Sequence, residues 1–217
     1  MAFENRAEAG RMLVRRLEQH RGQHPLVLAI PRGAVPMGKI VADALDGDLD
    51  VVLVRKLRAP GNPELAIGSI DENGAVYLDP DTRDLWTDAY LEDEEALQLE
   101  TVRRRRRMYE PAGGPIDAAG RVVIVLDDGI ATGSTMIAAL RAVRTRRPST
   151  LIAATAVASA QALRLIRREA DEVVCLETPD MLFAIGMHVR DFAQVSDEEV
   201  LATLRQARRR TPAGTKA

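Results

Sequence analysis

Asp127 and Asp128 stand side by side at the end of an aliphatic run, Val122-Val123-Ile124-Val125-Leu126, and lead straight into Gly129-Ile130-Ala131-Thr132-Gly133-Ser134-Thr135. A strand that ends in two carboxylates and then in small and hydroxylated residues has chemical content. Gly129 and Gly133 let the backbone turn tightly and approach a ligand with no Cβ in the way. The loop amides, the positive end of the helix that follows, and the hydroxyls of Thr132, Ser134 and Thr135 make an anion cup that fits a phosphate monoester. Two carboxylates just ahead of that cup would repel a phosphate, so their place is with sugar hydroxyls or near a metal. The ligand reads as sugar plus phosphate. The Walker A pattern and the dinucleotide G-x-G-x-x-G pattern are both absent from the chain. Helix capping would explain one polar residue of D-D-G-I-A-T-G-S-T, but not the set.

The elements that must position these residues follow from apolar patterning. Leu26 to Ile30, Val51 to Val54, Val122 to Leu126 and Leu151 to Val157, with Val173 to Leu176 as a fifth, are compact aliphatic runs of the kind that form buried parallel strands. Between them, Val35 to Leu45, Ser134 to Arg146 and Gln161 to Glu169 have helical patterning and the length of right-handed crossovers. The expected fold is α/β, an open, mainly parallel sheet flanked by helices. In such a sheet ligands bind beyond the carboxyl ends of the strands, which directs attention to the loops after Ile30, Val54 and Leu126. Gly68 to Ile70 and Val76 to Leu78, joined through Asn73-Gly74, predict a small hairpin appended to the sheet as a hood. A long charged helix is expected from about Asp81 to Tyr109, and an amphipathic one before Gly22. One domain over 1–210, with its core at about 24–178, and a flexible tail at 211–217 complete the expected organisation.

Composition narrows the partners. The 217 residues carry 30 basic and 32 acidic side chains, a net charge of -2, so there is no whole-molecule attraction to nucleic acid or to an anionic membrane. A small-molecule partner is expected. Cys175 is the only cysteine, in the run Val173-Val174-Cys175-Leu176, which excludes an internal disulfide and predicts a buried strand thiol. No apolar stretch approaches a membrane span and the first residues are charged, so a cytoplasmic location is expected. His20, His24 and His188 lack a metal-ligand spacing.

The segment from Val122 to Thr135 closely resembles the motif by which type I phosphoribosyltransferases bind 5-phosphoribosyl-1-pyrophosphate (PRPP): an aliphatic strand, two acidic residues and a T-G-rich phosphate loop. The resemblance implies that Asp127 and Asp128 bind the ribose hydroxyls and that Ala131 to Thr135 hold the 5-phosphate. Ile30-Pro31-Arg32-Gly33-Ala34 is similar to the family's pyrophosphate loop, with Arg32 supplying charge and the Gly33 and Ala34 amides supplying donors. Arg55-Lys56-Leu57-Arg58-Ala59-Pro60-Gly61-Asn62-Pro63-Glu64-Leu65-Ala66-Ile67-Gly68 resembles a subgroup of bacterial phosphoribosyltransferase-like proteins. There Arg55 and Lys56 could neutralise pyrophosphate, and the segment reads as a loop able to close over the site. With it the resemblance covers most of residues 24 to 200. Phe183-Ala184-Ile185-Gly186 and Asp191-Phe192 look like the base-binding region of purine-type enzymes, with Phe183 stacking on a base and Asp191 near magnesium, directly or through water. The spacing from Gly186 to Asp191 is one residue longer than in that pattern.

By this resemblance the chain would be a pentosyltransferase that moves ribose 5-phosphate from PRPP to a nitrogen nucleophile, a nucleobase, and releases pyrophosphate. Asp127, Asp128, Arg32 and Lys56 would serve the reaction. Mg2+ would be bound mainly through PRPP oxygens. A homodimer through the N-terminal or the long charged helix is compatible with an enzyme of this type. Two alternatives stand beside it, a PRPP-binding regulator without turnover and a pyrophosphate-handling hydrolase. Arg103 to Arg107, five consecutive arginines, read as a solvated helix face paired with Glu92 to Glu95 or Glu100, with phosphate or RNA binding as the other reading.

Overall fold

The computed structural model of the chain describes residues 3–182 and 184–210; the expected tail, 211–217, lies outside the described residues. The chain opens with a short strand β1 (Phe3–Asn5), helix α1 (Arg6–Arg16), strand β2 (Leu26–Ala29), helix α2 (Ala34–Ala44) and strand β3 (Asp48–Val51). A hood follows, made of β4 (Val54–Ala59), β5 (Asn62–Asp71) and β6 (Val76–Leu78), and then the long helix α3 (Asp88–Tyr109). The second half runs β7 (Val122–Asp127), α4 (Ser134–Arg144), β8 (Thr150–Val157), α5 (Ala160–Ile166), β9 (Glu172–Glu177), β10 (Val189–Asp191) and α6 (Asp197–Arg210).

Five strands form one parallel sheet in the order β3-β2-β7-β8-β9. Their near-continuous aliphatic sequences suit a sheet buried on both faces. Alternation then divides each strand between two cores. Ile124 and Leu126 of β7 face α1, α2 and α6, together with Leu13, Met37 and Leu204. Val123 and Val125 face α4 and α5, together with Leu140, Val143 and Leu163. Each such fully buried aliphatic side chain contributes about 1.5–3 kcal/mol relative to exposure. The chain leaves β2 toward β3 on one side and leaves β7 toward β8 on the other. The two central strands therefore part at their carboxyl ends and open a crevice there, the place where a doubly wound sheet receives its ligand.

Four expectations are corrected. The apolar run Val51 to Val54 is not one strand: β3 ends at Val51 because its partner β2 ends at Ala29, and buried Val52 and Leu53 link it to the hood. The segment after Val54 is not a loop but a hairpin, with β4 paired antiparallel to β5 around Pro60-Gly61 and packed by Leu57, Ile67 and Ile70 against Trp86. The long helix starts later than expected, at Asp88, where the Thr87 hydroxyl accepts the Tyr90 N–H at 3.3 Å; residues Pro80–Leu85 form a separate 3-10 segment. Cys175 is half-buried rather than buried, because β9 is an edge strand. The hairpin from Gly68 to Leu78 forms as expected, with Ser69 opposite Tyr77. Among the described residues no helix is long and apolar enough to cross a membrane.

Candidate active site

Strand β7 delivers its two carboxylates to the crevice. Asp127 is its last residue, and the Asp128 N–H donates to Asp127 Oδ1 at 2.9 Å. Burial, and after it the charge of Asp128, pushes the Asp127 carboxyl well above the usual aspartate range. Asp128 is held from the other end of the chain. Arg6 Nε donates to its Oδ2 at 2.9 Å, and only 13% and 14% of the two side chains are exposed.

Beyond the carboxylates the loop is fastened to β8. The Ile130 N–H donates to Val157 O at 2.8 Å, and the Ser159 hydroxyl donates to Ala131 O at 2.7 Å. Gly133 takes φ +87, the left-handed turn that lets α4 begin at Ser134. At Gly129 a Cβ would meet Ile185 at 2.3 Å, so the missing side chain also lets a protein side chain approach closely. Thr132 and Ser134 hydroxyls lie 3.2 Å apart at the exposed rim. Helices α1, α3 and α5 start with a side-chain cap from Asn5, Thr87 and Ser159, whereas α2 and α4 start at Gly33 and Gly133 with none. Helix α4 thus leaves its first-turn amides to an anion, whereas in α2 the Val35 N–H already donates to Arg32 O at 3.1 Å and Pro36 has none, so that end offers the Gly33 and Ala34 amides.

The loop after β2 meets the carboxylates directly. An added Cβ on Gly33 would lie 2.0 Å from Asp128 Oδ2 and 3.1 Å from Arg6 Nη2, so only glycine lets this loop, the Asp128 carboxylate and Arg6 come together. The Pro31–Arg32 peptide is cis. Arg32 turns to the start of α6, where its Nη1 is 3.5 Å from Asp197 Oδ2, and Tyr109 Oη donates to the other oxygen of Asp197. Burial, then the Asp197 carboxylate, pushes the Tyr109 phenol up. From Pro31 and Thr135 a cleft of about 600 Å³ extends under the hood to α3, with Arg55 and Lys56 on its wall. Arg55 Nε donates to Gln98 Oε1 at 3.1 Å, and burial followed by the charges of Arg105 and Arg58 lowers its pKa.

Most of the residues expected from the sequence therefore converge. Asp127, Asp128, Gly33, Ala34 and the loop from Gly129 to Thr135 meet at the β2–β7 crevice, and Arg55 and Lys56 line the cleft that adjoins it. Phe183 lies outside the described residues. Asp191 is exposed at the end of β10, opposite Asn5 of β1, and its carboxylate accepts the Ala193 N–H at 3.4 Å. Among the described residues no group of three or more His, Cys, Asp or Glu side chains converges to hold a metal by itself. Sequence reasoning missed Arg6, Asp197 and Tyr109, which no local motif marks. Arg6 reaches the site because β1 pairs with β10 and α1 begins at that residue; its guanidinium carbon lies 3.9 Å over the Phe192 ring and its Nη1 donates to Ala193 O at 2.7 Å.

Comparison with known proteins agrees with this geometry. A family model described as phosphoribosyl transferase domain matches residues 3–191. The chain is 41% identical over 209 residues to a Mycobacterium tuberculosis protein, in strains CDC 1551 and H37Rv, whose name provisionally assigns phosphoribosyl transfer. That similarity covers 95% of this chain and 47% of the relative, so the chain spans about half the length of the curated relatives it matches. Among solved structures, TT1426 from Thermus thermophilus is 40% identical with a TM-score of 0.88, over 95% of this chain and 99% of that one. The AQ2163 protein from Aquifex aeolicus, 15% identical with a TM-score of 0.50 over 91% and 85% of the two chains, shares the fold. The motif at Asp127 to Thr135, the crevice that it opens on and the match over residues 3–191 lead to one assignment: the chain belongs to the phosphoribosyl transferase domain family.

Proposed function

We propose that this domain binds PRPP and transfers its ribose 5-phosphate to a nitrogen nucleophile, a nucleobase in the simplest case, with release of pyrophosphate. One juxtaposition carries the reading: Asp128, bonded through its N–H to Asp127, touches the Gly33 loop, and the uncapped starts of α2 and α4 open at the same crevice. A sugar held by the carboxylates then has its 5-phosphate at residues 131–135 and its pyrophosphate at residues 32–34, beside Lys56.

Departure of pyrophosphate leaves positive charge on the ribose ring and puts negative charge on the leaving oxygens. Asp127 and Asp128 fix the ribose through its hydroxyls and favour the cationic ring. The Gly33 and Ala34 amides, Arg32 and Lys56 take up charge on the leaving group. Asp127 and Asp128, with Asp191 as an outer partner, would hold a magnesium ion bound mainly through PRPP, and such an ion would supply charge neutralisation. The hood hairpin, from β4 to β6, roofs the cleft and limits access of water to the ring.

Incubation with PRPP, magnesium and a panel of purine and pyrimidine bases, read as pyrophosphate release, tests the reading. Release that depends on one base identifies the acceptor. Release without any base points to hydrolysis, and saturable PRPP binding with no release points to a regulator.

A further inference from the structure

The five consecutive arginines of α3 are sorted by the helix into different tasks. At 3.6 residues per turn, Thr101, Arg104, Arg105 and Met108 share one face, while Val102, Arg106 and Tyr109 share the next. Arg106 is buried, paired with Glu72 and with Asp50 at 3.3 Å, and donates to Val51 O at 3.0 Å. Arg107 pairs with Glu100 at 2.6 Å, and Arg103 reaches the Glu72 carbonyl at 3.5 Å. Arg104 and Arg105 do neither. They line the cleft that holds Pro31, Lys56 and Thr135, and no carboxylate among the described residues pairs with them. Among the described lining residues the one acidic side chain, Asp197, is engaged by Arg32 and Tyr109.

Of the cations lining the cleft, Arg58 has its own partner in Glu94 at 3.0 Å, but Arg104 and Arg105 stand with Arg55 and Lys56 and have no carboxylate paired to them among the described residues, and their mutual repulsion costs stability unless an anion joins them. The crowding registers on Arg55, whose pKa is lowered by burial and then by Arg105. The cleft begins where the leaving group of PRPP would stand, at the loop after β2.

We propose that Arg104 and Arg105 contact the pyrophosphate of bound PRPP and act as further catalytic residues for its departure, an inference that rests on the PRPP reading above. As the C1–O bond breaks, its electron pair leaves with the pyrophosphate oxygen; the nitrogen nucleophile forms the C1–N bond and gives its proton to solvent. The two guanidiniums meet the charge that accumulates on the leaving group. Unlike cations delivered by a mobile segment, they stand on a helix anchored one face away by Arg106, so the anion site is in place before substrate arrives.

Calorimetry with three ligands, each with magnesium, separates this role from general damage: PRPP, inorganic pyrophosphate and ribose 5-phosphate. The Arg104→Ala/Arg105→Ala variant is expected to lose about tenfold or more in affinity for pyrophosphate and PRPP, the usual scale for losing charge-assisted contacts to a phosphate, and to bind ribose 5-phosphate within about twofold of the wild type. Arg104→Lys/Arg105→Lys, which keeps the charge, should recover most of the loss, and it also serves if the alanine variant fails to fold. Unchanged pyrophosphate affinity, or an equal loss for ribose 5-phosphate, overturns the proposal. Failure of the underlying reading is separate: the wild type would then bind neither PRPP nor ribose 5-phosphate, and the proposal would fall with it.

Discussion

Arg6 and Asp128, 122 residues apart in sequence, form a 2.9 Å ion pair at the floor of the crevice, and Arg6 also stacks on Phe192. The bond joins the amino-terminal segment, the ribose carboxylates and the strand-end turn after β10 into one unit. The active site is thus closed by contacts far apart in the chain, although its central motif is local.

Removal of Arg6 strands a mostly buried carboxylate. Arg6→Ala is expected to destabilise the fold by about 2–4 kcal/mol, as the lost pair and the lost cation–π contact add, and to weaken PRPP binding. Arg6→Lys keeps the charge but not the planar stack or the second bond to Ala193 O, and should fall between the two. Urea unfolding with parallel PRPP titrations measures both; wild-type values for Arg6→Ala would remove Arg6 from the account.

Gly33→Ala isolates a steric effect. Gly33 has φ -59 and ψ -33, a backbone that alanine adopts freely, yet its new methyl would overlap Asp128 Oδ2. The variant should keep its helix content by circular dichroism and lose PRPP affinity by about tenfold or more, the scale at which an active-site misplacement of ångström size acts. Full affinity would show that Asp128 moves freely and is not held against this loop.

Asp127 predicts a pH signature. Its carboxyl is raised by burial first and by Asp128 second, so the folded protein binds this proton more tightly than the unfolded chain does. Stability attached to the group is therefore full below the ordinary aspartate value of about 3.9 and is lost as pH rises through the raised value. Asp127→Asn should melt near the wild-type temperature at about pH 4 and above it at about pH 8, while losing PRPP binding. Melting curves that shift in parallel at all pH values would contradict the assignment.

Arg106 and Arg107 are adjacent and should behave oppositely. Arg106→Ala takes the buried cation from Glu72 and Asp50, leaving them Arg146 at 3.2 Å and Arg208 at 3.4 Å, and should cost about 2–4 kcal/mol. Arg107→Ala loses only an exposed pair with Glu100, worth about 0–1 kcal/mol. Denaturant unfolding of the two variants decides; equal losses would mean that the helix is turned differently from the way described.

These residues also show how far the sequence could be read. Strand β7 and its loop were legible because a run of β-branched residues, two aspartates and a glycine-bounded phosphate loop are contiguous, and each acts close to where it is written. The run Val51 to Val54 misled because burial continues through Val52 and Leu53 after pairing has ended. The hairpin β4–β5 read as a loop because Arg55, Lys56 and Arg58 dominate its sequence, and the Pro60-Gly61 turn resembles any mobile tip. Five identical arginines carry no letter that marks which one is buried; only the spacing of Val102, Arg106 and Tyr109 tells, and only once the helix's orientation is known. Nothing in the sequence around Arg6 announces a partner 122 residues away.

The central claim is that Asp127 and Asp128 hold the ribose of PRPP. Calorimetric titration of PRPP with magnesium into the wild type and into Asp127→Asn/Asp128→Asn tests it most directly. Saturable binding by the wild type and a loss of about a hundredfold or more in the double variant are expected, as two carboxylate contacts to the sugar are removed together. Equal affinity in the two proteins, or no binding by the wild type, would contradict it.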